Sequence, residues 1–191
     1  MNKNSLKNIA IEVINLEIEA LKILKKSVNK NFDKAVNAIV NCQSKIILCG
    51  VGKSGLIAAK IASTLSSVGS PAFSLSANDC LHGDLGSITK KDVLVLISNS
   101  GRSEEIIPIV KFANKNKIKL IGIVSKKNSL LYKGSNIKIL LPDVKESGLG
   151  VVPTSSTSIQ LAIGDALAVA ALKKKQFSRY DFSRLHPGGS L

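Results

Sequence analysis

The feature that most constrains the fold is an alternation of short apolar runs with helical patterns between residues 45 and 174. The runs hold consecutive Ile, Leu and Val residues without polar residues at every second position, which is typical of parallel strands covered by helices on both faces. The pattern predicts an α/β fold, a three-layer doubly wound parallel sheet of about five strands. The predicted strands are KIILCG, PAFSL, DVLVLISNS, IKLIGIVS and NIKILLP.

Two helices are predicted ahead of the first strand, over residues 5–26 and 32–41, from apolar residues at three- and four-residue steps. The first precedes the sheet, so we expect it to pack outside the sheet or against another subunit. With 191 residues and 45% hydrophobic content, the chain can build one sizeable core. We therefore expect a single domain over residues 1–191.

The net charge of +14 raises the possibility of a nucleic-acid partner. Its distribution argues against one, because only three of the 27 basic residues are Arg, at Arg102, Arg179 and Arg184. The lysines are spread along helical segments without interleaved aromatic residues, as on solvated helix faces. We expect no nucleic-acid partner, but a positive field that attracts small phosphorylated substrates.

The sequence also favours a cytoplasmic protein. No run reaches the roughly 18–20 apolar residues of a membrane span, and the N-terminus is too polar for a signal peptide. Cys42, Cys49 and Cys80 are odd in number and lack C-x-x-C spacing. Buried free thiols in a reducing compartment are expected, with no membrane association.

The segment GVGKSG, residues 50–55, follows the first strand where an α/β protein binds phosphate. A nucleotide P-loop would need glycine at Ile47, inside the strand, so that alternative fails. The glycine spacing matches the dinucleotide fingerprint, but Ser74 and Ser76 stand where an acidic residue should end the second strand. Nicotinamide binding is therefore less favoured than an anion-binding turn for a phosphorylated metabolite.

A second segment, SNSGRSEE, supports phosphate binding. Ser98, Ser100 and Ser103 offer three hydroxyls on a turn that leads into a helix, whose N-terminal amides favour an anion. An ordinary helix cap needs only one serine, so the surplus predicts a seat for a monophosphate. The segment PTSSTS, residues 153–158, begins another helix and serves equally well as a cap or as a binding element.

Several residues near these segments can move protons. The chain has two histidines, His82 and His186, both in polar glycine-bearing segments. Glu146 lies in the loop after the last predicted strand, and Glu105 lies at the start of a predicted helix, where the helix dipole also favours a glutamate. Lys53 is a cation at the start of a helix, where an anionic ligand would offset its repulsion from the helix dipole. No zinc spacing and no G-x-S-x-G nucleophile elbow is present. Acid–base chemistry without metal or cofactor remains, and aldose–ketose isomerisation fits it.

Five motifs together resemble one family. GVGKSG, CLHGDLG, ISNSGRSEEI, GVVPTSSTS with GDALAVAAL, and the terminal HPGGSL are similar to the sugar isomerase (SIS) domain of D-arabinose 5-phosphate isomerases. The match runs from about Leu6 to the last residue. It implies a flavodoxin-like five-stranded sheet, a homotetramer, and interconversion of D-ribulose 5-phosphate with D-arabinose 5-phosphate through an enediol, a supply step for the sugar acid Kdo.

The resemblance also implies site residues. It assigns catalytic roles to Lys53, Glu105, Glu146 and His186, and substrate contacts to Ser54, Gly69, Ser70, His82, Ser98, Ser100 and Ser103. Residues 108–117 and 142–144 are implicated as well. Relatives carry a histidine that can hold zinc where this chain has Ser76, so no metal is expected here. Many members continue into a pair of regulatory cystathionine-β-synthase domains, whereas this chain stops at Leu191.

Two alternatives remain open at this point. The enzyme class could hold while the substrate is another sugar phosphate, such as sedoheptulose 7-phosphate or a hexulose 6-phosphate. The chain could instead bind a sugar phosphate and report it to a partner without turnover. A sensor would not need Lys53, Glu146 and His186 together, so their joint presence favours an enzyme.

Overall fold

The computed structural model describes residues 5–188 and contains one five-stranded parallel sheet. Its strands are β1 Ile46–Gly50, β2 Ala72–Ser76, β3 Val93–Ser98, β4 Lys119–Val124 and β5 Ile137–Leu140. They lie in the order β2-β1-β3-β4-β5. The predicted α/β class, strand number and parallel direction are confirmed.

Helices cover both faces of the sheet. They are α1 Leu6–Ser27, α2 Lys30–Val40, α3 Lys53–Ser67, α4 Ala77–Cys80, α5 Ile106–Lys115, α6 Leu130–Gly134, α7 Gly148–Val151, α8 Ser155–Lys174 and α9 Arg179–Leu185, with a 3-10 turn at Asp84–Ser87. The first, second, third and eighth helices share one apolar core with alternate strand residues such as Leu48. The fourth, fifth and sixth share the other core, which contains Ile47.

The interior strands β1 and β3 are buried along their whole length, as the unbroken apolar runs predict. β2 is one of the two edge strands, and its Ser74 and Ser76 are exposed. All three cysteines are free, and Cys49 and Cys80 are buried as expected, whereas Cys42 is only partly buried. Cys49 and Cys80 both belong to the core that contains Ile47, and their burial there explains these thiols without any further role.

The join between β1 and α3 explains the glycine spacing of GVGKSG. A Cβ atom on Gly50 would lie 2.8 Å from the backbone carbon and oxygen of Ser54, and one on Gly55 would lie 2.9 Å from the Gly50 oxygen. Gly52 has φ +56°, in the left-handed region that favours glycine. The three glycines therefore let α3 begin in close contact with the strand end, with no dinucleotide required.

α8 is the central helix of its layer. It packs against α1, α2 and α3. By length and composition alone it could also cross a bilayer, but half of its apolar window is buried inside the protein. That burial is what a core helix requires.

α1 confirms the first predicted helix but leaves much of its apolar surface uncovered. Only Ala20 and Leu24 are buried, and they contact the core through the C-terminal half of the helix. The exposed large apolar side chains of this helix are Leu6, Ile9, Ile11, Ile14, Ile18, Leu21 and Ile23. A surface of this kind is typical of contacts between protein chains.

Candidate active site

A cleft of about 500 Å³ opens at the carboxyl ends of β1 and β3. The strand order reverses between these two strands, which is where open α/β sheets bind ligands. Residues from α3, from the loops after β3 and β5, and from the N-terminus of α8 line it: Val51, Lys53, Ser54, Asn99, Glu146, Gly150, Val151, Pro153, Ser156, Thr157 and Gln160. Three predicted site residues, Lys53, Ser54 and Glu146, thus meet in one cleft.

Lys53 is the first residue of α3 and is exposed to the cleft. Among residues 5–188 it forms no ion pair. Its ammonium group stands at a helix N-terminus, where the helix dipole disfavours a cation. An anionic ligand or intermediate in the cleft would offset this repulsion between the ammonium group and the helix dipole.

Glu146 binds the N-terminus of α8. Its Oε2 atom accepts hydrogen bonds from the amides of Thr154, at 2.9 Å, and Ser156, at 3.2 Å, and from the Thr154 hydroxyl, at 3.2 Å. Burial raises the pKa of this carboxyl, but the hydrogen bonds from Ser156 and Thr154 outweigh it and hold the pKa below its ordinary value. Glu146 is therefore a carboxylate at neutral pH, fixed in place at the cleft wall.

Two cleft residues were not predicted as site residues from the sequence. The hydroxyl of Ser125 donates to Oδ1 of Asn99 at 2.7 Å, which holds the Asn99 side chain at the loop after β3. The hydroxyl of Ser54 donates to Oε1 of Gln160 at 3.1 Å. A glutamine two residues beyond the PTSSTS segment, flanked by Ile159 and Leu161, was the signal that could have identified Gln160.

The predicted serine loop lies beside the cleft at the end of β3. Ser98 is buried, and its hydroxyl accepts a hydrogen bond from the Gly101 amide at 2.9 Å. The Ser100 hydroxyl accepts one from Arg102 at 3.3 Å, and the Ser103 carbonyl accepts the Ile106 amide as α5 begins. As acceptors, the first two hydroxyls keep their own protons for donation. The Ile106 amide is already bonded and Pro108 has no N–H, so the first turn of α5 offers fewer free amides than an ordinary helix.

A left-handed turn forms one rim of the cleft. Gly148, Leu149 and Gly150 all have φ between +54° and +74°, and a bridge between Ser147 and Val152 closes the turn. Leu149 is fully exposed although this backbone conformation is unfavourable for a leucine. The cleft rim is thus a short, strained segment between Glu146 and α8.

Other predicted residues on this edge lie outside the cleft lining. Glu105 is the N-cap of α5, without a side-chain capping bond and without an ion pair to Lys53. His82 is exposed between α4 and the 3-10 turn that follows β2. Of the two implicated segments, residues 108–117 lie in and just after α5, and 142–144 form the loop between β5 and Glu146.

The remaining predicted residues are placed elsewhere. Gly69 and Ser70 precede β2, at the opposite, amino-terminal edge of the sheet. The ammonium of Lys175, just past α8, donates to the Gly69 carbonyl at 3.0 Å and to the Ser70 hydroxyl at 2.8 Å. One chain therefore does not bring Gly69 and Ser70 into the cleft described above.

His186 ends α9, which follows the same end of α8. Its ring stacks on Phe182 with centroids 3.8 Å apart, and its Nδ1 lies 2.8 Å from the Phe182 carbonyl. A carbonyl only accepts, so in this arrangement Nδ1 carries a proton, and Nε2 has no hydrogen-bond partner within residues 5–188. His186 is not part of the cleft lining of its own chain.

No three His, Cys, Asp or Glu side chains converge as a metal site within residues 5–188. The expectation of metal-free chemistry stays a prediction, because the last three residues lie outside the described part of the chain. The cleft nevertheless offers a cation, a carboxylate, two amides and several hydroxyls. This set can hold a polar anion and move a proton.

Comparison with known proteins places this geometry in context. The family described as SIS domain matches residues 39–170. The chain is 45% identical over 188 residues to arabinose 5-phosphate isomerase KdsD of Francisella tularensis, covering 96% of this chain and 58% of that protein. It is 42% identical over 181 residues to KdsD of Yersinia pestis, covering 94% and 55% respectively. The chain thus spans a little over half the length of these curated relatives.

One solved structure is similar to this chain over the whole length of the solved chain. The E. coli CFT073 protein c3406 in complex with arabinose 5-phosphate superposes with a TM-score of 0.92 and 34% sequence identity. The alignment covers 98% of this chain and 100% of that one. At this level of coverage the two proteins share the fold, and with it the switch point of the sheet.

Proposed function

Because the chain belongs to the SIS domain family, we propose that it is an aldose–ketose isomerase that interconverts D-ribulose 5-phosphate and D-arabinose 5-phosphate. The observation that carries the proposal is the joint presence of Lys53 and Glu146 in the switch-point cleft, in a chain 34% identical to a protein solved with arabinose 5-phosphate. The names of the KdsD relatives point to the same reaction. No cofactor is needed for it.

In this proposal the serine loop holds the 5-phosphate. The hydroxyls of Ser98, Ser100 and Ser103 donate hydrogen bonds to the phosphate oxygens, and the positive end of the α5 dipole favours the anion. The Ser98 and Ser100 hydroxyls already accept from backbone amides, which leaves their own protons available for donation. Anchoring this end of the sugar places the carbonyl and its neighbouring carbon in the cleft.

Glu146 is the proposed base. Its Oε2 is held by Thr154 and Ser156, and its other oxygen is left to take the proton from C2 of arabinose 5-phosphate and, after exchange with solvent in the open cleft, to deliver a proton to C1. The electron pair of the broken C–H bond forms the enediolate, whose developing negative charge Lys53 stabilises. Ser54 lies beside Lys53 in the cleft, and its hydroxyl donates to Gln160.

The residues remote from the cleft are proposed to act across subunits. The uncovered apolar face of α1 supports a homo-oligomer, with a tetramer expected from the resemblance. His186 or His82 of a neighbouring chain would then relay protons between the two sugar oxygens, and Gly69 and Ser70 would contact substrate there. Glu105 would orient a sugar hydroxyl. Dilution that dissociates the assembly should abolish turnover in parallel with the change in mass.

We place the reaction in the cytoplasm as a supply step for Kdo. The test is to incubate the purified protein with arabinose 5-phosphate and to follow ribulose 5-phosphate directly by NMR, with sedoheptulose 7-phosphate as the competing substrate. The expected result is rapid equilibration of the two pentose phosphates. Selective turnover of the heptose phosphate would show that the enzyme acts on a different substrate. Binding of arabinose 5-phosphate without turnover would favour a sensor over an enzyme.

A further inference from the structure

Gln160 is a buried amide for which the proposed reaction has no assigned role. It is 1% exposed and lies among the core-facing residues of α8, next to Ile159 and one turn before Ile163 and Gly164. It nevertheless contributes to the cleft lining. A buried amide is costly unless its donors and its acceptor are hydrogen-bonded, so each of its two polar atoms must be accounted for.

The acceptor is accounted for by Ser54. The Ser54 hydroxyl donates to Oε1 of Gln160 at 3.1 Å, which turns the amide oxygen towards α3. Nε2 then carries two N–H groups without a hydrogen-bond partner in the described chain. The fully enclosed side-chain atoms that lack a partner within residues 5–188 are the hydroxyls of Ser147 and Ser155. The Gln160 nitrogen is not one of them, so it opens onto the cleft.

The chemistry of this position is specific. Glu146, the carboxylate on the same wall, is bonded through Oε2 to Thr154 and Ser156 and forms no hydrogen bond with Gln160, so the N–H groups of Gln160 are left to an incoming ligand. They can bind only an acceptor oxygen. Gln160 is buried whereas Lys53, which lines the same cleft, is exposed. An uncharged buried donor suits a neutral oxygen on the body of the ligand more than a terminal phosphate.

We propose that Gln160 is a substrate-binding residue that donates a hydrogen bond to a hydroxyl or carbonyl oxygen of the sugar, and that Ser54 is the positioning residue that orients it. The inference rests on the proposed function for the identity of the sugar phosphate. It adds a contact that recognises the polyhydroxyl part of the ligand. A ligand without an oxygen at this point would leave a buried donor unpaired and would be rejected.

The test uses Gln160→Met, which keeps the volume and removes the donor, and Ser54→Ala, which removes the orienting bond. Ser158→Ala, a half-buried hydroxyl on the same helix outside the cleft, is the control. Gln160→Met should lower kcat/KM for arabinose 5-phosphate roughly tenfold to hundredfold and leave inhibition by inorganic phosphate unchanged. Ser54→Ala should cost less, and the double variant should be no worse than Gln160→Met alone.

Two results would overturn the inference. The first is wild-type kinetics in Gln160→Met. The second is an equal loss of affinity for arabinose 5-phosphate and for inorganic phosphate together with a lowered Tm, because the contact would then only join two helices. Failure of the proposed function is a separate outcome. If the wild-type protein binds arabinose 5-phosphate without turnover, calorimetry on the same variants still measures the sugar contact, and a selective loss of affinity for this sugar phosphate in Gln160→Met would support it.

Discussion

Replacing Glu146 separates its role in holding α8 from its role in chemistry. In the folded protein one carboxylate oxygen accepts three hydrogen bonds from Thr154 and Ser156 at the start of a 20-residue helix. Glu146→Ala removes all three, together with the negative charge at the positive end of the helix. Glu146→Gln keeps an oxygen that can accept the same bonds and removes only the charge.

The magnitudes follow from these contacts. Loss of a helix cap costs about 1 kcal/mol, and loss of a charge at a helix N-terminus costs about 0.3–1 kcal/mol. Glu146→Ala should therefore lose about 1–2 kcal/mol of unfolding free energy and Glu146→Gln about 0.3–1 kcal/mol. For a chain of this length each 1 kcal/mol corresponds to about 2–4 °C in Tm. Turnover should instead be lost equally in both variants.

The pH dependence gives an independent check. The folded-state pKa of Glu146 is lowered, so its ionised form stabilises the fold at pH values above the ordinary value of 4.5, and this stabilisation is lost as the pH falls through the folded-state pKa. Urea titrations should thus show the gap between wild type and Glu146→Gln closing in acid. A gap that is unchanged at pH 3, or turnover by Glu146→Gln near the wild-type rate, would refute this account of Glu146.

Three further predictions concern other residues. Lys53→Met should lower turnover roughly 10²- to 10³-fold without lowering the Tm, because a cation at the start of α3 opposes the helix dipole; a clear fall in Tm would contradict this. Gly50→Ala should cost about 1–3 kcal/mol and reduce activity, since its Cβ would lie 2.8 Å from the Ser54 backbone; a wild-type unfolding curve would count against that packing. Burial raises the pKa of Asp92, but hydrogen bonds from Thr89, Ser44 and Lys45 outweigh burial and lower the pKa to about 2. Asp92→Asn should lose about 2 kcal/mol of unfolding free energy at pH 7. This difference from the wild type should disappear as the pH falls from about 4 towards 2, and a difference that does not change with pH would disprove the role of the ionised carboxylate.

Much of the fold could be predicted because its signals are local. The unbroken apolar runs of β1 and β3 identified buried parallel strands, and the three- and four-residue spacing identified α1 and α2 within a residue or two. Short elements carry less periodic signal. For this reason α4 and α9, each of seven residues or fewer, were not predicted.

The site was predicted only in part because its contacts join distant parts of the chain. Glu146 was singled out as a candidate acid or base, but its bond to the start of α8 depends on how the loop after β5 folds back. Gln160 depends on Ser54, which lies 106 residues away. The glycines of GVGKSG suggested phosphate binding, whereas in the structure Gly50 and Gly55 explain how closely α3 approaches β1.

The most direct test of the central claim is proton exchange during turnover. If Glu146 removes the C2 proton of arabinose 5-phosphate to form an enediol, ribulose 5-phosphate made in heavy water should carry deuterium at C1, detected by mass spectrometry and NMR. Glu146→Gln, folded by circular dichroism, should incorporate none. Rapid turnover by the wild-type protein without any deuterium in the product, or undiminished incorporation by the variant, would contradict the account.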